Sequence, residues 1–329
     1  MAKRGNKRAA KIVAVIGGAN IDIKARISGR TVAATSNPAE ATLSVGGVGR
    51  NIAHNLAKLG IAARLISVVG DDVDGDRLLQ ETAKAGVDVS GVKRVRGSSG
   101  LYAAVLDHSG ELVIGVSAMS VLEKFTAADL KRRAAAIDGA AFIIADCNLR
   151  PDCLRWLVAR ARARGISILL EPVSAPKAEK LLTLLRARAP IHTLTPNLHQ
   201  LEVLARRKIA GPTDLRRSTN VLHDRGVAHV LVGMGAKGAA LSLRRDEHTA
   251  FHRIPAAAAK ARDVTGGGDA LVAGYVAALI QGHSPLEAAL FGQAAAGIAV
   301  AATATVSPRL NAKDVWRRAA MLRRRIRGE

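Results

Sequence analysis

The run Asp263-Val264-Thr265-Gly266-Gly267-Gly268-Asp269-Ala270 ends on a carboxylate and opens into an apolar segment, Leu271-Val272-Ala273-Gly274-Tyr275-Val276, that reads as a helix. Three glycines at a helix start leave backbone N–H groups without intrahelical partners. The macrodipole places about half a positive charge at that end. Glycine lets an anion approach this backbone closely, so the turn suits a phosphate. Beside such a turn, a carboxylate can accept the proton of an attacking hydroxyl while the N–H groups neutralise charge on a transferring phosphoryl group. Composition alone leaves a plain glycine-rich helix start, with Asp269 matched to the dipole, as an equal alternative. No Gly-Lys-Ser/Thr follows, which excludes the phosphate loop built on that triplet.

These residues need a scaffold, and hydrophobic periodicity supplies one. Lys11 to Gly17 is a continuous apolar run, as expected of a strand buried on both faces. Val48, Ile52, Leu56 and Leu59 make a helical stripe that stops at Gly60. Ala63 to Val69 returns to strand, and Asp74 to Ala85 is helical up to Gly86. Strand signals recur at 140–145, 166–170, 191–194 and 229–232, with a helix over Pro151 to Arg164 that starts on proline and ends before Gly165. Strands alternating with helices predict a mostly parallel sheet covered on both faces, a three-layer α/β/α sandwich. Two segments, at about 22–45 and 98–118, break the alternation. The second reads as a hairpin turning at Asp107-His108-Ser109-Gly110. They predict a small β-sheet lid on one main domain spanning 11–329. The C-terminal third reads as helical, with one helix leaving the glycine turn and another starting at Ser284-Pro285.

Bulk properties narrow the class. The chain has 329 residues, 49% of them hydrophobic, enough for a large core. No apolar run of about 18 residues suggests a membrane span, and no signal peptide is evident, which leaves the cytoplasm as the expected location. Cys147 and Cys153 are too few for a disulfide framework or a four-ligand zinc site. His54, His199 and His223 show no metal spacing. The net charge of +22 is large, but the basic residues are dispersed, from a tail over residues 1–10, expected to be disordered, to Arg323, Arg324 and Arg325. Aromatics are 2%, too few for base-stacking platforms, so a nucleic-acid partner is not expected.

With these elements in place, Asp-x-Thr-Gly-x-Gly-Asp-Ala before a C-terminal helix resembles the signature of the ribokinase-type (PfkB) sugar and nucleoside kinases. The resemblance covers nearly the whole chain. Asn20-Ile21-Asp22 is similar to the family's N-terminal Asn-x-Asp, and Gly46-Gly47-Val48-Gly49-Arg50-Asn51 to its di-glycine motif. Pro196-Asn197 and Gly233-Met234-Gly235-Ala236-Lys237-Gly238 lie where the family handles nucleotide. Within the family, Ser36-Asn37-Pro38, the Gly-Gly-Val-Gly-Arg-Asn form, Ala145-Asp146-Cys147-Asn148 and Pro172-Val173-Ser174 look like pseudouridine kinases. The resemblance implies a ribokinase-like fold and phosphorylation by ATP of the ribose 5′-hydroxyl of pseudouridine. Another sugar or nucleoside kinase acting on ribose, adenosine or uridine is the alternative. A non-catalytic ligand- or RNA-binding protein on the same fold is a third reading.

Roles follow residue by residue. The resemblance implies that Asp269 is the general base and that Gly266, Gly267 and Gly268 form the anion hole. It implies that Asn20, Asp22, Asn37, Gly46, Gly47, Arg50 and Asn51 bind the acceptor. Asp22 suits a ribose diol, because one carboxylate accepts from two adjacent hydroxyls. The resemblance further implies that Asn197, Gly233, Gly235, Gly238, Thr265, Gly266 and Gly268 bind nucleotide. The resemblance also implies Mg²⁺ with ATP, K⁺ near Asp263 and Thr265, and a homodimer through the lid. Three positions depart from the family pattern: Gln200 stands for the usual Glu of Asn-x-x-Glu, Glu171 for Asp, and Gly267 for Ala. The nearest carboxylate, Glu202, is turned away by its two-residue offset on a helix. The metal ligands are therefore left open.

Overall fold

The first apolar run forms strand β1, Val13–Ile16, with all four residues buried. A computed structural model describes residues 11–246, 248–257 and 265–327. The tail 1–10, Asp263 and Val264 lie outside the described residues. The further strands are β2 Asn20–Ile27, β3 Ala39–Gly46, β4 Ala63–Ile66, β5 Val68–Gly70, β6 Lys93–Val95, β7 Gly100–Leu106, β8 Leu112–Ala118, β9 Phe142–Asp146, β10 Ile168–Glu171, β11 Ile191–Leu194, β12 Val227–Gly233, β13 Ala239–Arg245 and β14 His248–Ile254.

Eight of these form the central sheet in the order β14-β13-β12-β11-β10-β9-β1-β4. The strands from β12 to β4 pair in parallel, and β13 and β14 add an antiparallel edge. Apolar clusters cover both faces, as continuous apolar strands require. From β1 the chain moves outward to β4, then returns to the other side of β1 at β9. This reversal opens a crevice at the carboxyl ends of β1 and β9, where open α/β sheets bind ligands.

The lid is a separate sheet, β3-β2-β7-β8. Its register pairs Asn20 with Gly46 and Asp22 with Ser44, so the N-terminal motif and the di-glycine motif meet at its base. Helix Pro151–Arg164 has the predicted bounds and ends in left-handed Gly165, φ 64°. Two expectations are corrected. The run 63–69 divides at Ser67 into β4 and β5, because β5 leaves the central sheet to pair with β6. The C-terminal third is not all helical: β13 and β14 form a hairpin, and Ala239-Ala240-Leu241-Ser242 in β13 carries little β-branched or aromatic character. The helices Gly267–Ile280, Pro285–Ala299 and Ala312–Arg327 follow it.

Candidate active site

Helix Gly267–Ile280 begins after Gly266, whose φ of 80° is left-handed. A Cβ on Gly266 would overlap the Thr305 carbonyl oxygen, so glycine is required there on two counts. Asp269 sits in the first turn of this helix. It faces helix Val48–Lys58, from which Asn51 Nδ2 donates to Asp269 Oδ2 at 3.1 Å. Burial pushes the Asp269 carboxyl up to about 7; the Asn51 hydrogen bond opposes this, and the charges of Asp146 and Asp22 add to it.

The residues expected to bind the acceptor come from β2, the end of β3, the turn between those strands and the start of helix Val48–Lys58. Asn20 Nδ2 donates to Asp22 Oδ1 at 2.6 Å. Burial raises the Asp22 carboxyl, while Asn20, Lys24 and Arg50 pull it back. A Cβ on Gly46 would overlap Asp22 Oδ2, so that glycine makes room for the carboxylate. Gly47 has φ 98°, and a Cβ there would meet the Gly18 carbonyl.

Arg50 is buried, and its hydrogen bonds go to protein groups. Nη1 donates to Val45 O at 3.4 Å and to Asn51 Oδ1 at 3.3 Å, and Nε donates to Thr82 Oγ1 at 3.3 Å. Burial lowers its guanidinium to about 10, which leaves it charged at neutral pH. The geometry thus gives Arg50 a positioning task through Asn51. Asn37 lies further out, in the turn between β2 and β3. There it accepts from Val32 N at 2.8 Å and donates to Val32 O and Thr35 O.

Four of the residues expected to bind nucleotide, Asn197, Gly233, Gly235 and Gly238, lie at the ends of β11 and β12. Asn197 and Gly233 form a parallel bridge, and Gly233 N donates to Pro196 O at 3.0 Å. Gly235 and Gly238 turn the following loop with φ 57° and 86°. A Cβ on Gly233 would lie 3.8 Å from Leu271 Cδ2, which puts this loop against the helix of Asp269. Gln200 is buried and closes a capping box: its Oε1 accepts from Asn197 N at 2.8 Å, and its N donates to Asn197 Oδ1 at 2.9 Å. Glu202 accepts from Ile209 N at 2.9 Å.

Sequence reasoning gave no role to Asp146, although it holds the crevice together. Its Oδ2 accepts from Gly18 N at 2.8 Å and Gly49 N at 2.9 Å, and its Oδ1 from Asn148 N at 2.9 Å. A Cβ on Gly17 would overlap this carboxylate. The available signal was an aspartate at the carboxyl end of a fully apolar strand. Glu171, at the end of β10, is raised well above the usual carboxylate range by burial and by Asp269 and Asp146. Its Oε2 accepts from Val173 N at 2.6 Å. Val173 takes φ 67°, a strained conformation for a β-branched residue.

The Asp22 carboxyl thus lies near enough to the Asp269 carboxyl to help raise it to about 7, and Asp269 stands at a helix N-terminus, a position suited to a phosphate. The pfkB family carbohydrate kinase profile matches residues 10–312. The chain belongs to that family. It is 35% identical over 301 residues to YeiI, an uncharacterized sugar kinase of Escherichia coli, covering 91% of this chain and 81% of that one. It is 33% identical over 304 residues to the pseudouridine kinase of Escherichia coli, covering 92% and 95%. The fold matches that of Arabidopsis thaliana ribokinase complexed with ribose and ATP, with a TM-score of 0.78, 23% identity and coverage of 94% and 99%. This PfkB chain is a kinase of the sugar and nucleoside class with a ribokinase-like fold. No helix among the described residues is long and apolar enough to cross a membrane.

Proposed function

We propose that this kinase phosphorylates the ribose 5′-hydroxyl of pseudouridine, giving pseudouridine 5′-phosphate and ADP. The observation that carries the reading is the chain Arg50–Asn51–Asp269, which ties the Gly-Gly-Val-Gly-Arg-Asn motif to the base. That motif resembles pseudouridine kinases, and its form is more specific than the family-wide glycine pair.

Asp22 accepts hydrogen bonds from the ribose diol and fixes the sugar. Asp269 takes the proton of the 5′-hydroxyl as its oxygen bonds to the γ-phosphorus. The bond from that phosphorus to the bridging oxygen breaks, and ADP leaves. The N–H groups of Gly266, Gly267 and Gly268 receive charge on the phosphoryl oxygens. Asn197, Gly233, Gly235, Gly238 and Thr265 line the nucleotide side.

Among the described residues, no group of three His, Cys, Asp or Glu side chains is placed to hold a metal ion. Gln200 is neutral, and its oxygen is taken by Asn197 N. Mg²⁺ would come with ATP, where it would neutralise phosphate charge. Of the two residues expected near K⁺, Asp263 lies outside the described residues and Thr265 borders the anion turn.

The outer lid exposes Leu43, Leu112, Val113, Ile114 and Val116, at 43–58% of their surfaces. A second copy of the chain covering this face gives the homodimer we assign to the lid.

A panel of pseudouridine, uridine, adenosine and ribose with ATP tests the substrate. Pseudouridine should give the highest kcat/KM. Faster turnover of uridine or ribose would overturn the substrate while leaving a kinase. No turnover at any Mg²⁺ level, with salt-sensitive RNA binding, would overturn both.

A further inference from the structure

Lys24 follows Asp22 by two residues on β2, so both side chains leave the same face of the lid sheet. Its ammonium crosses to the other side of the cleft, where Nζ donates to Thr265 Oγ1 at 3.4 Å. Thr265 directly precedes Gly266, Gly267 and Gly268. Lys24 also lies close enough to Asp22 to hold that carboxyl down against the effect of burial. The ammonium therefore stands between the carboxylate that fixes the acceptor and the turn that receives the phosphate. A transferring phosphoryl group must pass along that line.

The charges around this line give the position its meaning. Asp22, Asp146, Glu171 and Asp269 bring four carboxyl groups to the crevice, and the last two each feel Asp146. ATP adds several more negative charges. The buried guanidinium of Arg50 is held by Val45, Asn51 and Thr82. Lys177 Nζ donates to Asn148 Oδ1 at 2.5 Å. Fixed positive charge aimed at the transferring group stabilises the transition state of phosphoryl transfer strongly, because it is in place before the charge develops. Lys24 is placed to supply it from the lid, so that only a closed lid completes the site.

We propose that Lys24 is a catalytic residue: when ATP binds, its ammonium exchanges Thr265 Oγ1 for an equatorial oxygen of the transferring phosphoryl group. The inference rests on the kinase reading of the site, but not on which acceptor is used. In the step itself the acceptor oxygen–phosphorus bond forms, the bond to ADP breaks, and the acceptor proton goes to Asp269. Lys24 gives up no proton. It stabilises the charge spread over the phosphoryl oxygens.

Lys24→Met keeps the stem and removes the charge, and Lys24→Arg restores a cation. With any acceptor that the wild type phosphorylates, Lys24→Met should lower kcat by about 100-fold, the scale of one lost charge-stabilising donor. KM for ATP and for the acceptor should stay within about threefold, and Lys24→Arg should recover most of kcat. ADP with tetrafluoroaluminate, a planar stand-in for the transferring group, should bind Lys24→Met more weakly, with ADP alone unchanged. A kcat within about threefold of wild type overturns the proposal. So does a loss confined to acceptor KM, which would make Lys24 only a support for Asp22. If no acceptor in the panel turns over, the substrate reading fails, and the tetrafluoroaluminate comparison still decides Lys24: equal affinity in wild type and variant sinks it.

Discussion

Asn51 Nδ2 donates to Asp269 Oδ2 at 3.1 Å, while the oxygen of the same amide accepts from Arg50 Nη1 at 3.3 Å. The guanidinium therefore fixes which end of the amide faces the base. A hydrogen bond donated to a carboxylate favours its charged form, and here it acts against burial and two neighbouring carboxyls. The balance leaves Asp269 at about 7, a value suited to a base working near neutrality.

The pH dependence follows in sign from that balance. Asp269 accepts a proton only when it is ionised, so kcat/KM for the acceptor should rise through about pH 7 and level off above it. Asn51→Leu removes the opposing hydrogen bond, so its rising limb should move to higher pH. A limb that stays in place, or moves down, would mean that another group sets the profile.

Asp269→Asn should lower kcat by about 10²–10⁴-fold, the span of a lost general base, with ATP affinity little changed. Stability should move the other way. Folding raises the Asp269 carboxyl from the ordinary aspartate range to about 7, so ionising it destabilises the fold as pH rises between those values. The variant should melt at least about 2 °C higher than wild type at pH 8, with the difference gone at pH 4. Near-wild-type turnover would remove Asp269 from the mechanism.

Much of this site was legible because its parts obey local rules. The glycines before Asp269, the apolar parallel strands and the proline-started helix Pro151–Arg164 each announce themselves within a few residues. Asp146 did not, because its partners Gly18 and Gly49 are far away in sequence and meet it only where the chain reverses beside β1. Lys24 was hidden for the same reason: its contact with Thr265 spans 241 residues. Arg50 was legible as special but not in its task, since motif position cannot distinguish a residue that touches the acceptor from one that holds Asn51. The β13–β14 hairpin was missed because Ala239-Ala240-Leu241-Ser242 carries little β-branched or aromatic character.

Gly46→Ala tests the close approach at the acceptor carboxylate. The added Cβ would overlap Asp22 Oδ2, so either the carboxylate or the β2–β3 pairing must shift. Acceptor KM should rise about tenfold or more, while KM for ATP stays near wild type. Equal changes in both constants would show a general collapse of the lid instead.

Gln200 presents the remaining departure from the family pattern, and its capping box makes the exchange testable. Gln200→Glu keeps an oxygen for Asn197 N and adds a negative charge at a helix N-terminus, a favourable position, so the fold should be at least as stable. The new carboxylate also lies on the nucleotide side, where the resemblance places an acid. Half-maximal rate should therefore need less Mg²⁺, or kcat should rise. Gln200→Ala removes one arm of the box and should cost about 1 kcal/mol of stability without lowering the Mg²⁺ requirement. Titration of activity against Mg²⁺ across the three proteins separates the two roles. If Gln200→Glu matches wild type at every Mg²⁺ level, the residue serves only as a helix cap.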